Sequence, residues 1–360
     1  MWETTGVPAW KRPAATAALA RVSAAVRWQE WYASKLPFAW TACASAAASS
    51  RLGNAAVLRR TAAVILFTCL CAAFGHVAND HADRECDRSA GRLRPAAALT
   101  RHAASLVLVA LGAAALGVLA MAATSPAAAA AGIAGLALSA AYSLGPLRLK
   151  ERGAAGVWSA AAAQRTLPVL LAFAALRPLG AQAWAFAAVA QLAGVRWMLV
   201  HQVADAANDR RAGVATYVAA AGEARARALL RRVVFPLELL ALAAALWTAS
   251  ASTPAVWRVA AAGALASGVW AALWHGKRAP YSFDGYGHQP LAGFYQAVWP
   301  IGAGVLLAAS RPALWPVGAA FLLWESRFIA LQLATALRLL RERVGAWAGA
   351  TGGGRFYAGG

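Results

Sequence analysis

Acidic residues are scarce in this chain. Aspartate and glutamate number 14 among 360 residues, and charged residues of both signs make up only 13%. A soluble domain of this length needs a larger charged surface, so the scarcity excludes that class. Cysteine is sparse too. Cys43, Cys69, Cys71 and Cys86 follow neither a disulfide framework nor a zinc spacing. Cys69 and Cys71 fall in an apolar run and read as packing residues. The N-terminus has no signal-peptide hydrophobic region or cleavage site, and residues 1–35 read as a cytoplasmic tail with an amphipathic approach to a membrane.

Apolar sequence fills the space that charge leaves. Hydrophobic residues make up 61% of the chain, and the mean hydropathy is +0.52. Apolar segments lie near residues 36–50, 61–79, 102–124, 127–144, 154–176, 181–201, 233–250, 255–275, 291–309 and 312–337. Most approach the roughly 20 residues that cross a bilayer as a helix. Alanine dominates them, and small side chains let membrane helices approach closely. Short turns such as TSPA, RPLG and SRPA join neighbours, as antiparallel helices require. The predicted fold is all-α, a polytopic membrane bundle of nine or ten transmembrane helices. Its main unit covers residues 36–310, an extra apolar helix follows in 311–345, and a Gly-rich tail closes at 346–360.

The net charge is +20, from 34 Lys and Arg. In a soluble protein this balance would point to nucleic acid. Here the basic residues gather in alternate loops instead, which is the positive-inside pattern, and nucleic acid is excluded as a partner. With a cytoplasmic N-terminus, 25 basic residues fall on that side and five on the other: Arg51, Arg59, Arg60, Arg177 and Arg311. Arg165, Arg196, Arg258 and Arg327 lie inside expected spans. The predicted location is the cytoplasmic membrane of a bacterium, with the bilayer as a partner; the oligomeric state is not legible.

Charge is densest where the second span ends, in AFGHVANDHADRECDRSAGRLRP. Asp80, Asp83 and Asp87 are spaced three and four apart, so a helix carries them on one stripe, with Asn79 at its edge and His76 one turn deeper. Stacked like charges repel unless cations sit among them. Magnesium, which prefers hard oxygen ligands and bridges carboxylates to phosphates, suits the stripe; a solvated loop of salt bridges is the alternative. A second stripe at the end of the sixth span, MLVHQVADAANDRRAGVAT, repeats the spacing with Gln202, Asp205 and Asp209. Both stripes end on the cytoplasmic side and can converge on shared ions. Arg88, Arg92 and Arg94 follow the first stripe, Arg210 and Arg211 the second, and YSLGPLRLKERG adds Arg148, Lys150 and Arg152. Carboxylates with cations around them at a lipid boundary suit a diphosphate head on an apolar tail.

At these residues the chain resembles the UbiA superfamily of intramembrane prenyltransferases. NDHADRECD is similar to its NDxxDxxxD motif, QVADAAND to its second aspartate motif, and YSLGPLRLKERG to its Tyr-Ser…Pro…Leu-Lys segment. The continuation GVAT, with Gly213 and Thr216, also fits. The resemblance runs from about residue 36 to 310. It implies that Asn79, Asp80, Asp83, Asp87, Asp205 and Asp209 bind magnesium and a prenyl diphosphate. It further implies that Lys150 and nearby arginines hold the diphosphate, that an allylic carbocation forms in a lipid-facing cavity, and that Tyr142 orients the diphosphate or stabilises the cation. The chain departs from the pattern at Gln202, where many members carry aspartate, and in LGP, where a double proline is more familiar.

Other residues admit two readings. His76 is either a hydrogen-bond partner of a ligand carboxylate or a packed helical histidine. Arg165, beside Gln164, either lines the substrate cavity or is structural. Arg196 lies opposite Asp205 on its helix, so an ion pair with Glu238 or Glu325 is expected. Tyr295 and Gln296 face an acceptor or belong to an interfacial belt. The 16 tryptophans are read chiefly as interface anchors and packing residues. The expected function is magnesium-dependent transfer of an isoprenoid chain from its diphosphate to an aromatic or other lipophilic acceptor. The alternatives are an intramembrane terpene cyclase that needs no acceptor and a non-enzymatic transporter or lipid-binding relative.

Overall fold

A computed structural model describes residues 24–89, 94, 99–211, 213–250 and 293–327, with isolated residues as far as 341. The described regular structure is helical. α1 spans Trp28–Ala48, α2 Asn54–Ala82, α3 Arg84–Ser89, α4 Arg101–Ala122 and α5 Pro126–Ser143. α6 spans Ala154–Leu176 and α7 Ala181–Arg211. The short α8 and α9, Tyr217–Ala221 and Glu223–Leu229, lead into α10, Phe235–Ser250. α11 covers Phe294–Ser310, and residues 315–327 form a further helix. α2, α4, α5, α6 and α7 are long and apolar enough to cross a membrane. The bundle expected from the sequence is the one observed; the segment 255–275 lies outside the described residues.

Local chemistry sets the helix ends. Ser125 accepts from Ala128 N at 3.2 Å and Pro126 occupies the first turn, so TSPA starts α5. Thr100 caps α4 in the same way through Ala103 N. On the side opposite the acidic stripes, the sparse arginines cap helix C-termini. Arg311 donates to Ala47 O in the last turn of α1 and Arg60 to Ala175 O in the last turn of α6, each at 2.8 Å. Cations there satisfy the last carbonyls and complement the helix dipole, which explains why these arginines break the charge bias.

α2 packs along α4, α7 along α10, and α1 along α11 and the second half of α6. The interior is built largely from alanine: Ala39, Ala42, Ala115, Ala172 and Ala190 are fully buried. Outward faces carry bare apolar side chains such as Leu240 and Trp247, 67% and 79% exposed, as lipid contact requires. One charged pair is sealed inside. Arg196 Nε and Nη2 donate to Glu238 Oε2 and Oε1 at 2.7 and 3.0 Å, and both side chains are wholly buried. This is the ion pair expected for Arg196, made with Glu238.

Among the described residues, three helices contain one wide π turn each: Ala162–Thr166, Leu230–Val234 and Phe294–Val298. Each ends two residues before a proline, Pro168, Pro236 or Pro300. Proline lacks the N–H that would bond four residues back, and its ring crowds that carbonyl. The preceding residue then bonds five back, as Leu167 N does to Ala162 O and Trp299 N to Phe294 O. These turns aim Arg165, Tyr295 and Gln296 into the bundle, all of them buried.

Candidate active site

The first acidic stripe runs off the end of α2 without losing its helical register. Asp83 N bonds Asn79 O at 3.0 Å, and Asp87 N bonds Asp83 O at 2.8 Å across the break into α3. Asn79, Asp80, Asp83 and Asp87 therefore share one face. Asp80 is fully buried and Asp87 nearly so.

The α5–α6 connection comes to meet this face. Lys150, 5% exposed, donates from Nζ to Asn79 Oδ1 at 3.2 Å and makes a short contact with Asp83 Oδ1. Arg148 reaches the same Asp83 oxygen at 3.4 Å, and Ser143 Oγ donates to Asn79 Oδ1 at 3.2 Å. Arg148 adopts the left-handed region with φ 37°, which turns the chain so that both cations face α2. Gly156 makes the approach possible, because a Cβ there would lie 2.5 Å from Leu149 O and 3.0 Å from Lys150 Cα.

The second stripe ends α7 and is tied to the same connection. Thr216 Oγ1 donates to Asp209 Oδ2 at 3.0 Å and caps α8 by accepting from Ala219 N at 3.3 Å. Thr216 also forms a parallel bridge with Gly153, joining the two loops. Asp205 faces His201 Nε2 at 3.3 Å. Tyr142 lies within electrostatic reach of both Asp83 and Asp209. Gly194 brings α6 close behind them: a Cβ there would come within 2.7 Å of Ala161 Cβ.

Not every candidate side chain points to this centre. Gln202 is buried, and its carbonyl accepts from Val218 N at 3.3 Å, holding α8 against α7. Tyr295 is 2% exposed and packs on Phe38 with ring centroids 5.2 Å apart. Arg88 is exposed, Arg210 faces Glu223 at 3.8 Å, and Arg94 Nε lies 3.7 Å from Asp87. Arg92 lies outside the described residues. His76 is half-buried, with Nε2 3.1 Å from Lys35 Nζ. Arg165 places its guanidinium 5.7 Å from the Phe38 ring and 5.2 Å from the Trp197 ring.

Two basic residues of the α1 approach were not singled out in the sequence. Arg27 Nη1 donates to Asp80 Oδ1 at 3.0 Å and Lys35 meets His76. Their signal was present, since a basic residue followed by an apolar helix belongs at a membrane boundary, but nothing in the spacing linked them to α2.

Among the described residues, no three His, Cys, Asp or Glu side chains already form a metal cage. The carboxylates are held by cations instead: Asp80 by Arg27, Asp83 by Lys150 and Arg148, Asp87 by Arg94. Such an open set of hard oxygen donors suits an ion that keeps part of its shell for water and phosphate.

Two acidic helix ends laced together by a basic loop thus lie at one end of a bundle with five helices able to cross a membrane. Residues 36–282 match the model of the UbiA prenyltransferase family, and the chain belongs to that family. Its fold is similar to that of a UbiA homolog from Archaeoglobus fulgidus bound to GPP and Mg2+, with TM-score 0.61, 17% identity and coverage of 82% of this chain and 99% of the other. The same homolog bound to DMAPP and Mg2+ gives the same values. A structure of digeranylgeranylglyceryl phosphate synthase is also similar, with TM-score 0.55, 14% identity and coverage of 81% and 96%. No curated protein matches the chain in sequence.

Proposed function

We propose that the chain transfers an isoprenoid group from a prenyl diphosphate to an aromatic or other lipophilic acceptor, with magnesium as cofactor, at the cytoplasmic face of the membrane. The observation that carries this reading is the meeting of Lys150 with Asn79 and Asp83 while Gly153 bridges Thr216, the partner of Asp209. Three segments distant in sequence thereby face one another at one end of the bundle. The homolog from Archaeoglobus fulgidus, which binds GPP or DMAPP with Mg2+, supports the same ligand pair here.

Asn79, Asp80, Asp83 and Asp87 from one side, and Asp205 and Asp209 from the other, supply the oxygens that would hold magnesium. The bound ion would neutralise charge gathering on the departing diphosphate. Lys150 and Arg148 sit where they can bind the same phosphate oxygens and favour cleavage of the C–O bond. Tyr142, within electrostatic reach of both stripes, orients the diphosphate or faces the allylic cation. The apolar bundle keeps water from that cation until the acceptor captures it.

The test is incubation of the purified protein with prenyl diphosphates, magnesium and candidate acceptors, read by diphosphate release and product mass. Acceptor-dependent product, lost in Asp83→Asn and Asp209→Asn, is the expected result. A cyclic hydrocarbon or alcohol formed without acceptor would instead identify a terpene cyclase.

A further inference from the structure

Beyond α8 the chain continues as one helix. α9, the π turn Leu230–Val234 and α10 run without a break from residue 223 to residue 250. The exposed side chains of this helix change character once along its length. Val233, Leu237, Leu240, Ala244 and Trp247 are bare, and their spacing of four and three puts them on one face. From Val233 to Trp247 this apolar stripe is about 21 Å long, more than one leaflet's share of a hydrocarbon core about 30 Å thick. At its head stand Arg225, Arg231 and Arg232, all exposed.

These three arginines have no counter-charge in the fold. Among the described residues no carboxylate lies within ion-pair distance of them. The helix carries two acidic residues, and both are engaged elsewhere. Glu223 faces Arg210 at 3.8 Å and Arg227 at 3.4 Å. Glu238 is sealed inside the bundle with Arg196. Three like charges so close in sequence repel one another unless an anion joins them. The positive-inside bias accounts for arginines in this loop, but not for their place at the head of a bare apolar face.

We propose that Arg225, Arg231 and Arg232, with the stripe from Val233 to Trp247, form a binding site for an anionic phospholipid. The guanidinium groups take the headgroup phosphate, for which their planar fork is suited. An acyl chain lies along the stripe. A phospholipid with a negative headgroup uses both halves, whereas free phosphate uses the arginines alone and a neutral lipid chiefly the stripe. None of these residues belongs to the acidic stripes or the Lys150 loop, so the site is separate from the reaction centre and independent of the reaction catalysed there.

The experiment is native mass spectrometry of the full chain in detergent, with phosphatidylglycerol or phosphatidylcholine of identical acyl chains added. The anionic lipid is expected to bind at least about tenfold more tightly, since each arginine near an anionic lipid contributes about fivefold. Arg225→Gln/Arg231→Gln/Arg232→Gln brings that preference close to one, and each single change removes part of it. Arg225→Lys/Arg231→Lys/Arg232→Lys retains most of it, which separates loss of charge from loss of fold. Arg51→Gln/Arg59→Gln, at two exposed arginines on the other end of the bundle, leaves it unchanged.

Equal binding of the two lipids overturns the proposal. So does an undiminished preference in the triple glutamine variant. An equal loss in Arg51→Gln/Arg59→Gln overturns it too, because net charge and not this face would then govern binding. Displacement of phosphatidylglycerol by inorganic phosphate at equal concentration has the same force, since the stripe would then contribute nothing.

Discussion

Thr216 Oγ1 donates to Asp209 Oδ2 at 3.0 Å and at the same time accepts from Ala219 N at 3.3 Å. One hydroxyl thus fixes a carboxylate of the second stripe and the start of α8. Replacing Thr216 by valine removes both bonds. Loss of the cap costs about 1 kcal/mol. Release of Asp209 is expected to weaken binding of Mn2+, used as a paramagnetic substitute for magnesium, by about tenfold, a typical cost of losing a partner that orients a metal ligand. Thr216→Ser keeps the hydroxyl and should retain the affinity. Equal Mn2+ affinity in Thr216→Val, measured by electron paramagnetic resonance, contradicts the orienting role.

Gly156 controls Lys150 without touching substrate. A Cβ at this position would meet Leu149 O at 2.5 Å and Lys150 Cα at 3.0 Å, both backbone atoms that do not yield easily. Gly156→Ala should therefore push Lys150 away from Asn79 and Asp83. A displacement near 1 Å costs on the order of a hundredfold in rate. The expected pattern is a large fall in kcat with a melting temperature close to that of the native chain. Full activity in Gly156→Ala would show that the close approach is incidental.

Much of this was legible in the sequence, because membrane helices and acidic stripes both announce themselves by period. The runs at 61–79 and 181–201 became α2 and α7, extended at the end that carries the stripes because the stripes remain helical past the apolar part. α1 was harder: Glu30 and Lys35 interrupt its hydrophobicity, so the apolar run begins later than the helix. Gln202 was read as a member of the second stripe, and its carbonyl accepts from Val218 N. Spacing fixes the face of a side chain but not which backbone amide will claim it. The π turns were also hidden, although Pro168, Pro236 and Pro300 each carry the signal for one.

The buried pair of Arg196 and Glu238 makes a sharp energetic prediction. Arg196→Met alone strands a carboxylate inside the bundle and is expected to cost about 3–5 kcal/mol. Adding Glu238→Leu removes the stranded charge, and the double variant should recover most of that loss. Thermal unfolding of all four proteins in one detergent gives the coupling directly. Additive losses would mean that the two side chains do not depend on each other.

Arg27 and Asp80 set up a competition between cations. Asp80 is fully buried, and Arg27 Nη1 donates to its Oδ1 at 3.0 Å. A divalent ion arriving at the stripe meets a carboxylate whose charge is already engaged. In Arg27→Gln the carboxylate no longer has that counter-charge, and its attraction for Mn2+ rises. Removing one like charge beside the site should tighten Mn2+ binding about tenfold in the absence of prenyl diphosphate. Weaker Mn2+ binding in Arg27→Gln would show that the arginine orients Asp80 for the metal and does not compete with it.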